Sequence, residues 1–276
     1  MMTLFPDQAT ASLASPGPTA RFIQCHARML PGQRRLPYVL ARFCDALFAP
    51  DLFELHGIAA PEAIRASVGR RQAEFLAGRI CAQKTLAAHG RAAHMVGIGR
   101  HREPLWPPGH TGSITHTRDY AAAVACQDAG LLGIGIDIET IADADACPSI
   151  AALAVSPAEM ARLYAGGAQL GEARLLTLAF SVKESFFKAA FREVGEYFDF
   201  DAVEVWGLDL KQGTVRLRCT RTLGARLQVG QMCEASFEFL DDAILTALVL
   251  DSPCPETAWR DVAVNYESDF AQVYPV

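Results

Sequence analysis

Leu132, Ile134, Ile136 and Ile138 alternate with Gly133, Gly135, Asp137 and Glu139, and no other stretch of the chain restricts its fold as tightly. A period of two is the pattern of a half-buried strand, with the apolar set entering a core and the glycines and acids leaving on the opposite face. Positions two apart on a strand are separated by roughly 6 to 7 Å. The Asp137 and Glu139 carboxylates therefore repel unless a cation lies between them or one keeps its proton. The neighbouring glycines predict room for a ligand. A bare Asp-x-Glu also suits a solvated strand end, and a second segment some forty residues downstream decides between the two.

Arg174 to Arg192 fits a helix at about 100° per residue. Thr177, Ser181, Glu184, Ser185, Lys188 and Arg192 form a polar stripe, and Leu176, Phe180, Phe187 and Phe191 an apolar one beside it. Glu184 and Lys188 alone fit an exposed i,i+4 ion pair. Lys183 does not fit that reading. It falls among Leu176, Ala179, Phe187 and Ala190, where an ammonium needs an anionic partner. A carboxylate and two lysines downstream of a paired-acid strand point to a divalent metal and a phosphorylated ligand bound together.

Length and charge narrow the class. The chain has 276 residues, 51% of them hydrophobic, and a net charge of −6, which suits one large domain or two small ones. No apolar run approaches the roughly eighteen residues of a membrane span, and no basic segment followed by an apolar block marks a secretory signal. Eight cysteines without a Cys-x-x-Cys pair predict reduced thiols and a cytoplasmic location. Residues 1–118 carry 14 basic and 7 acidic side chains, residues 119–276 carry 11 and 24, and all seven histidines lie at or before His116. This balance argues against a general nucleic-acid binder and suits an anion and a cation meeting between two halves.

Residues 1–20 are expected to form a mobile leader and 251–276 a loose tail. Arg21 to Arg28 reads as a strand, Pro31 to Pro61 as loops with one short helix, and Pro61 to His89 as one long helix ended by Gly90. In that helix Val68, Phe75, Leu76 and Leu86 make the apolar stripe, Arg79 lies inside it, and Arg70, Glu74 and Lys84 face solvent. After the basic loop Arg100 to Pro108, the run Gly112-Ser113-Ile114-Thr115-His116-Thr117 reads as a phosphate cradle of backbone N–H, hydroxyl and imidazole donors. Ala121 to Cys126 and Leu131 to Glu139 read as a hairpin turning at Gln127 to Gly130. Asp143 to Gly171 is an irregular connection with one helix capped by Ser156, and a candidate docking surface. Four strand-like runs from Val203 to Leu250 read as an antiparallel meander packed on the Lys183 helix.

Four segments, in this order and spacing, carry a resemblance: Arg70-Arg71-Gln72-Ala73-Glu74-Phe75-Leu76-Ala77-Gly78-Arg79, Gly112 to Thr117, Gly135-Ile136-Asp137-Ile138-Glu139, and Lys183-Glu184-x-x-x-Lys188. Over about residues 65 to 190 the chain resembles the Sfp-type 4′-phosphopantetheinyl transferases, in particular their enterobactin synthetase component D-like branch. The resemblance implies an α+β fold, a pseudo-dimer of two similar halves at residues 21–130 and 131–250. Each half is a long helix packed on antiparallel strands, with coenzyme A in the cleft between them. It implies magnesium-dependent transfer of the phosphopantetheine arm of coenzyme A to a serine of an apo carrier protein, releasing adenosine 3′,5′-bisphosphate.

By the same resemblance, Asp137, Glu139 and Glu184 match the magnesium ligands, and Lys183 and Lys188 match lysines near the coenzyme A phosphates. Thr115 and His116 match the pyrophosphate contacts, and Arg71, Arg79 and Arg102 the basic residues around the 3′-phosphate and adenine. Glu184, directly or through a water, is the expected base, with Lys183, Lys188 and His116 stabilising the leaving phosphate. Phe180 stands where the family often has tryptophan and Ser185 where alanine follows the glutamate, which leaves the carrier open. The expected partners are carrier proteins or domains of peptide and polyketide synthases, with no nucleic acid and no membrane, and the expected state is a monomer. Taken without the resemblance, the acids and lysines also suit a magnesium-dependent phosphohydrolase or nuclease, or a coenzyme A-binding regulator without turnover.

Overall fold

A computed structural model describes residues 21–32, 36–91, 94–127 and 130–251. The expected leader, all of the expected tail but Asp251, and the turn positions Asp128 and Ala129 lie outside the described residues. In chain order the strands are β1 (Ile23–Met29), β2 (Pro37–Phe43), β3 (Gly97–Ile98), β4 (Pro104–Leu105), β5 (His110–His116), β6 (Tyr120–Gln127), β7 (Leu131–Thr140), β8 (Val203–Asp209), β9 (Thr214–Cys219), β10 (Met232–Phe239) and β11 (Ala243–Asp251). The described helices longer than one turn are α1 (Gly69–Ala88), α2 (Cys147–Ala154), α3 (Pro157–Gly167) and α4 (Glu172–Val194).

The strands form an antiparallel sheet of order β1-β2-β6-β5, a second of order β7-β11-β10-β9-β8, and the small ribbon β3-β4. Alternation explains the layering. Val39, Ala41, Phe43, Ala121, Ala123 and Ala125 face α1 with Leu76, Ile80 and Leu86. The intervening Tyr38, Leu40, Tyr120, Ala122 and Val124 face the other way, against Ile134, Ile136, Ile138 and Leu245 of the second sheet. Leu178, Val182, Phe186 and Ala189 of α4 cover that sheet's outer face. The result is the expected pseudo-dimer of α+β halves, with a third core shared between them. Among the described residues no helix is long and apolar enough to cross a membrane, and the described cysteines are free thiols.

The β8 to β11 meander and the Ser156 cap follow the sequence pattern, the cap closing as a reciprocal box with Glu159. Other expectations are overturned. The run expected to be loops contains β2, which enters the sheet at Pro37 opposite Met29. The expected helix from Pro61 is a single turn, Glu62–Arg65, then a break and α1, and Val68 lies 74% exposed outside the stripe. β6 and β7 are not a hairpin: β6 pairs with β2 and β5, and β7 with β11. The connection between them carries the chain from one half into the other. In α4 the expected stripe is rotated, the deepest positions being Leu175, Leu178, Val182 and Phe186.

Gly133 and Gly135 do not clear space for a ligand. A methyl on Gly133 would collide with the Ala189 carbonyl, and one on Gly135 with that of Ser185. They let the backbone of α4 lie directly on β7, which brings Asp137 and Glu139 beside the polar stripe of that helix.

Candidate active site

β5 and β7 are the edges of their sheets and meet at the seam between the halves. An edge strand has backbone N–H groups without a ladder partner. Here β5 side chains supply the acceptors: the Ile136 amide donates to Ser113 Oγ at 3.1 Å and the Ile138 amide to Thr115 Oγ1 at 3.2 Å. The expected cradle from Gly112 is therefore a paired strand, its backbone held in the ladder with β6. Thr115 is 4% exposed, and its hydroxyl also donates to Asp137 Oδ1 at 3.0 Å. It orients Asp137 and leaves no hydroxyl hydrogen for a pyrophosphate.

Asp137 is 3% exposed and held from three sides. Besides Thr115, Ser181 Oγ donates to Oδ2 at 2.9 Å and Lys188 Nζ to Oδ1 at 2.6 Å. Lys188 Nζ also reaches the Ile136 carbonyl at 3.2 Å. Burial, then repulsion from Asp137, pushes the Glu139 carboxyl up to about 8, and burial also raises Glu184. Burial and mutual repulsion hold Glu139 and Glu184 toward their protonated forms, a cost that a bound divalent cation would offset, and oxygen ligands of this kind suit magnesium. No three described His, Cys, Asp or Glu side chains already close on a common point, and Lys188 holds the cationic place beside Asp137.

At the end of β5, the Arg71 guanidinium donates to His116 Nε2 at 2.8 Å, and Glu74 Oε2 lies 3.4 Å from Arg71 and 3.8 Å from His116 Nδ1. Burial and the Arg71 charge lower the His116 pKa to about 4. Its contact with Glu74 is thus that of a neutral imidazole, not an ion pair, near neutral pH. Glu74, expected to face solvent, links Arg71 and His116.

Lys183 is displaced from its expected role. It is 3% exposed and paired at 2.7 Å with Glu159 of α3, with Phe200 O as a further acceptor at 3.3 Å. The anion that its apolar surroundings demand is a protein carboxylate rather than a phosphate. Glu159, which sequence reasoning missed, also accepts from the Val205 and Ser156 amides, each at 2.8 Å. Ser156 followed three residues later by glutamate was the available signal.

Arg79 snorkels out of the α1 stripe, donating to the Val96 and Gly97 carbonyls at 2.7 and 3.2 Å and stacking on Phe75. Burial lowers its pKa to about 10. It lines a cavity of about 240 Å³ that has no lining residue in common with the larger one below. The larger cavity, about 670 Å³, lies between the halves. Glu184, Phe187 and Lys188 line it from α4, Gly133 and Ile134 from β7, and β5 and residues 101–109 close the other side. Arg102 stands in that covering loop, exposed and at φ 68°. The structure thus brings Asp137, Glu139, Glu184, Lys188, Thr115, His116 and Arg71 to one seam, and places Lys183 and Arg79 elsewhere.

Two helix-backed antiparallel sheets with a buried acidic cluster at their seam define an α+β pseudo-dimer whose ligand space lies between its halves. Comparison with known proteins gives that architecture its family. The 4′-phosphopantetheinyl transferase N-terminal domain matches residues 59–126, and the 4′-phosphopantetheinyl transferase superfamily matches residues 133–244. The chain belongs to the 4′-phosphopantetheinyl transferase superfamily. Enterobactin synthase component D of Escherichia coli (strain K12) is 40% identical over 153 residues, covering 54% of this chain and 66% of the relative. That of Salmonella typhi is 37% identical over 146 residues, covering 53% and 59%. The 4′-phosphopantetheinyl transferase Svp of Streptomyces mobaraensis is 32% identical over 152 residues, covering 55% and 61%. The chain spans between 59% and 66% of the length of these relatives.

Proposed function

We propose that the protein moves the 4′-phosphopantetheine arm of coenzyme A to a serine hydroxyl of an apo carrier protein. The new bond joins the serine oxygen to the β-phosphorus, the bond from that phosphorus to the bridging oxygen breaks, and adenosine 3′,5′-bisphosphate leaves. The observation that carries this reading is the position of Glu184 and Lys188, which belong both to the acidic cluster around Asp137 and to the wall of the larger cavity. A phosphate at that mouth would have an apolar channel for its arm behind it.

Each residue has a part. Asp137, Glu139 and Glu184 would hold magnesium, which when bound neutralises the pyrophosphate charge. Glu184, its carboxyl raised by burial, takes the serine proton. Lys188 and Arg71 donate to phosphate oxygens, and the neutral His116, accepting from Arg71 at Nε2, holds that guanidinium in place. Thr115 and Ser181 orient Asp137, and Lys183 fixes α3 against α4. Arg102 in the covering loop, and Arg79 through the Val96 and Gly97 carbonyls it holds, support the nucleotide end. We further propose a monomer acting in the cytoplasm on carrier domains of peptide or polyketide synthases, with α2 and α3 beside the docking surface.

Intact mass of an apo carrier incubated with the protein, coenzyme A and magnesium tests the reading. A gain of one phosphopantetheine is expected, and Asp137→Ala should abolish it without unfolding the protein. Hydrolysis of coenzyme A with an unmodified carrier would favour a phosphohydrolase instead, and binding without turnover a regulator.

A further inference from the structure

Behind Asp137 lies a series of hydroxyls that the reaction itself does not touch. Thr246 of β11 stands directly opposite Asp137 in the ladder with β7, so the two side chains share one face of the sheet. Ser181 and Ser185, about one turn apart on α4, cover that face. All three hydroxyl residues are fully buried, and Val182, Phe186, Ile244 and Leu248 in the same layer are apolar. A buried hydroxyl costs free energy unless it is hydrogen-bonded. Thr177 of the same helix meets that need locally, donating to the Ala173 carbonyl at 2.7 Å. Ser181 and Ser185 reach across to the strands instead.

Proton counting gives the series a direction. Each hydroxyl has one hydrogen to donate. Ser181 Oγ donates its own to Asp137 Oδ2 at 2.9 Å. The 2.9 Å contact between Ser181 Oγ and Thr246 Oγ1 therefore uses the hydrogen of Thr246, and the 2.6 Å contact between Thr246 Oγ1 and Ser185 Oγ uses that of Ser185. The Ser181 carbonyl, 3.0 Å from Thr246 Oγ1, and the Thr246 carbonyl, 3.2 Å from Ser185 Oγ, lie beside these two hydrogens as second acceptors. The bonds run head to tail from Ser185 through Thr246 and Ser181 to Asp137, and each polarises the next. Thr115 and Lys188 hold Oδ1 from the other side. With both oxygens held, the plane of the carboxylate is fixed.

We propose that Thr246 and Ser185 are positioning residues of the active site: acting through Ser181, they fix the Asp137 carboxylate in the orientation that receives magnesium. The inference rests on the transferase reading and deepens it, since it gives control of a metal ligand to two residues that line neither cavity.

Calorimetric titration of the full chain with magnesium, in the presence of coenzyme A and without a carrier, tests it. Thr246→Val keeps the shape of the side chain and removes its hydroxyl. It should weaken magnesium binding about 10-fold, the lower end of what losing an outer partner of a metal ligand costs. Thr246→Ser, which restores the hydroxyl, should return the affinity to near that of wild type. Ser185→Ala leaves the bond from Thr246 to Ser181 in place and should cost less than the valine variant. Coenzyme A binding measured without magnesium should be unchanged in all three. If the valine variant does not fold, Thr246→Ala removes the same hydroxyl without filling its space and carries the same expectation. Wild-type magnesium affinity in Thr246→Val, a loss that Thr246→Ser shares, or an equal weakening of metal-free coenzyme A binding overturns the inference while leaving the transferase reading intact. A wild-type protein that binds coenzyme A but no magnesium overturns the inference and the metal assignment together.

Discussion

His116 and Asp137 lie at the same seam with different partners. Asp137 is met by three donors, whereas His116 meets the Arg71 guanidinium and is held neutral by burial and by that charge, its pKa near 4. An unfolded histidine titrates near 6.5, so the folded chain binds fewer protons at this residue than the unfolded one between those values. The resulting stability is complete above about pH 6.5 and is lost as pH falls toward 4. His116→Gln removes that contribution. Its melting temperature should fall less than that of wild type between pH 7 and about pH 4.5, and a steeper fall in the variant would refute the neutral imidazole. The acids, Lys188 and His116 were legible because strand alternation and helical spacing assign faces. The role of Thr115 was not, since a hydroxyl that caps the amide of a strand in the other sheet leaves no local pattern.

At the level of elements, the sequence assigned the right secondary structure where patterns were long and erred where a tertiary partner decided. β11 lies between β10 and β7, an arrangement that no property of the β6 to β7 connection announces, and β2 was hidden by Pro37 at its first position. The two glycines of β7 were legible as a close approach but not as the approach of α4 rather than a ligand. Lys183 is the sharpest case, because its apolar setting predicted an anion and Glu159 supplied one from a segment read as an irregular connection. If this pair ties α3 to α4, removing one partner leaves a buried charge. Lys183→Met should then lose about 3 to 5 kcal/mol of stability. The double variant Lys183→Met with Glu159→Gln should lose less than the two single variants together. Denaturant unfolding measures both, alongside transfer rate per folded molecule. A rate collapse at unchanged stability would return Lys183 to the phosphates.

Over the whole molecule, the two halves resemble each other but are not independent. Ile134, Ile136 and Ile138 complete a core that Tyr38, Leu40 and Val124 enter from the first sheet, so separating the halves would expose both faces. Polar contacts close the same boundary. Tyr38 Oη donates to Glu238 at 2.7 Å, Arg28 lies 3.5 Å from the same carboxylate, and Ser236 Oγ donates to the Pro31 carbonyl at 2.6 Å. Arg42 lies within 3.2 to 3.6 Å of Asp119 in its own half and of Asp241 and Asp242 in the other. A seam built this way couples the unfolding of both sheets, and the active-site geometry depends on it because Asp137 and Thr115 sit on opposite sides. Calorimetry should therefore show one transition whose van't Hoff and calorimetric enthalpies agree. Tyr38→Phe deletes one hydrogen bond to a charged group, worth about 1.5 to 3 kcal/mol, and should move that single transition to lower temperature without splitting it. Two transitions in wild type, or a variant in which only one half melts early, would mean that the halves are separate folding units and that the cleft can open without unfolding.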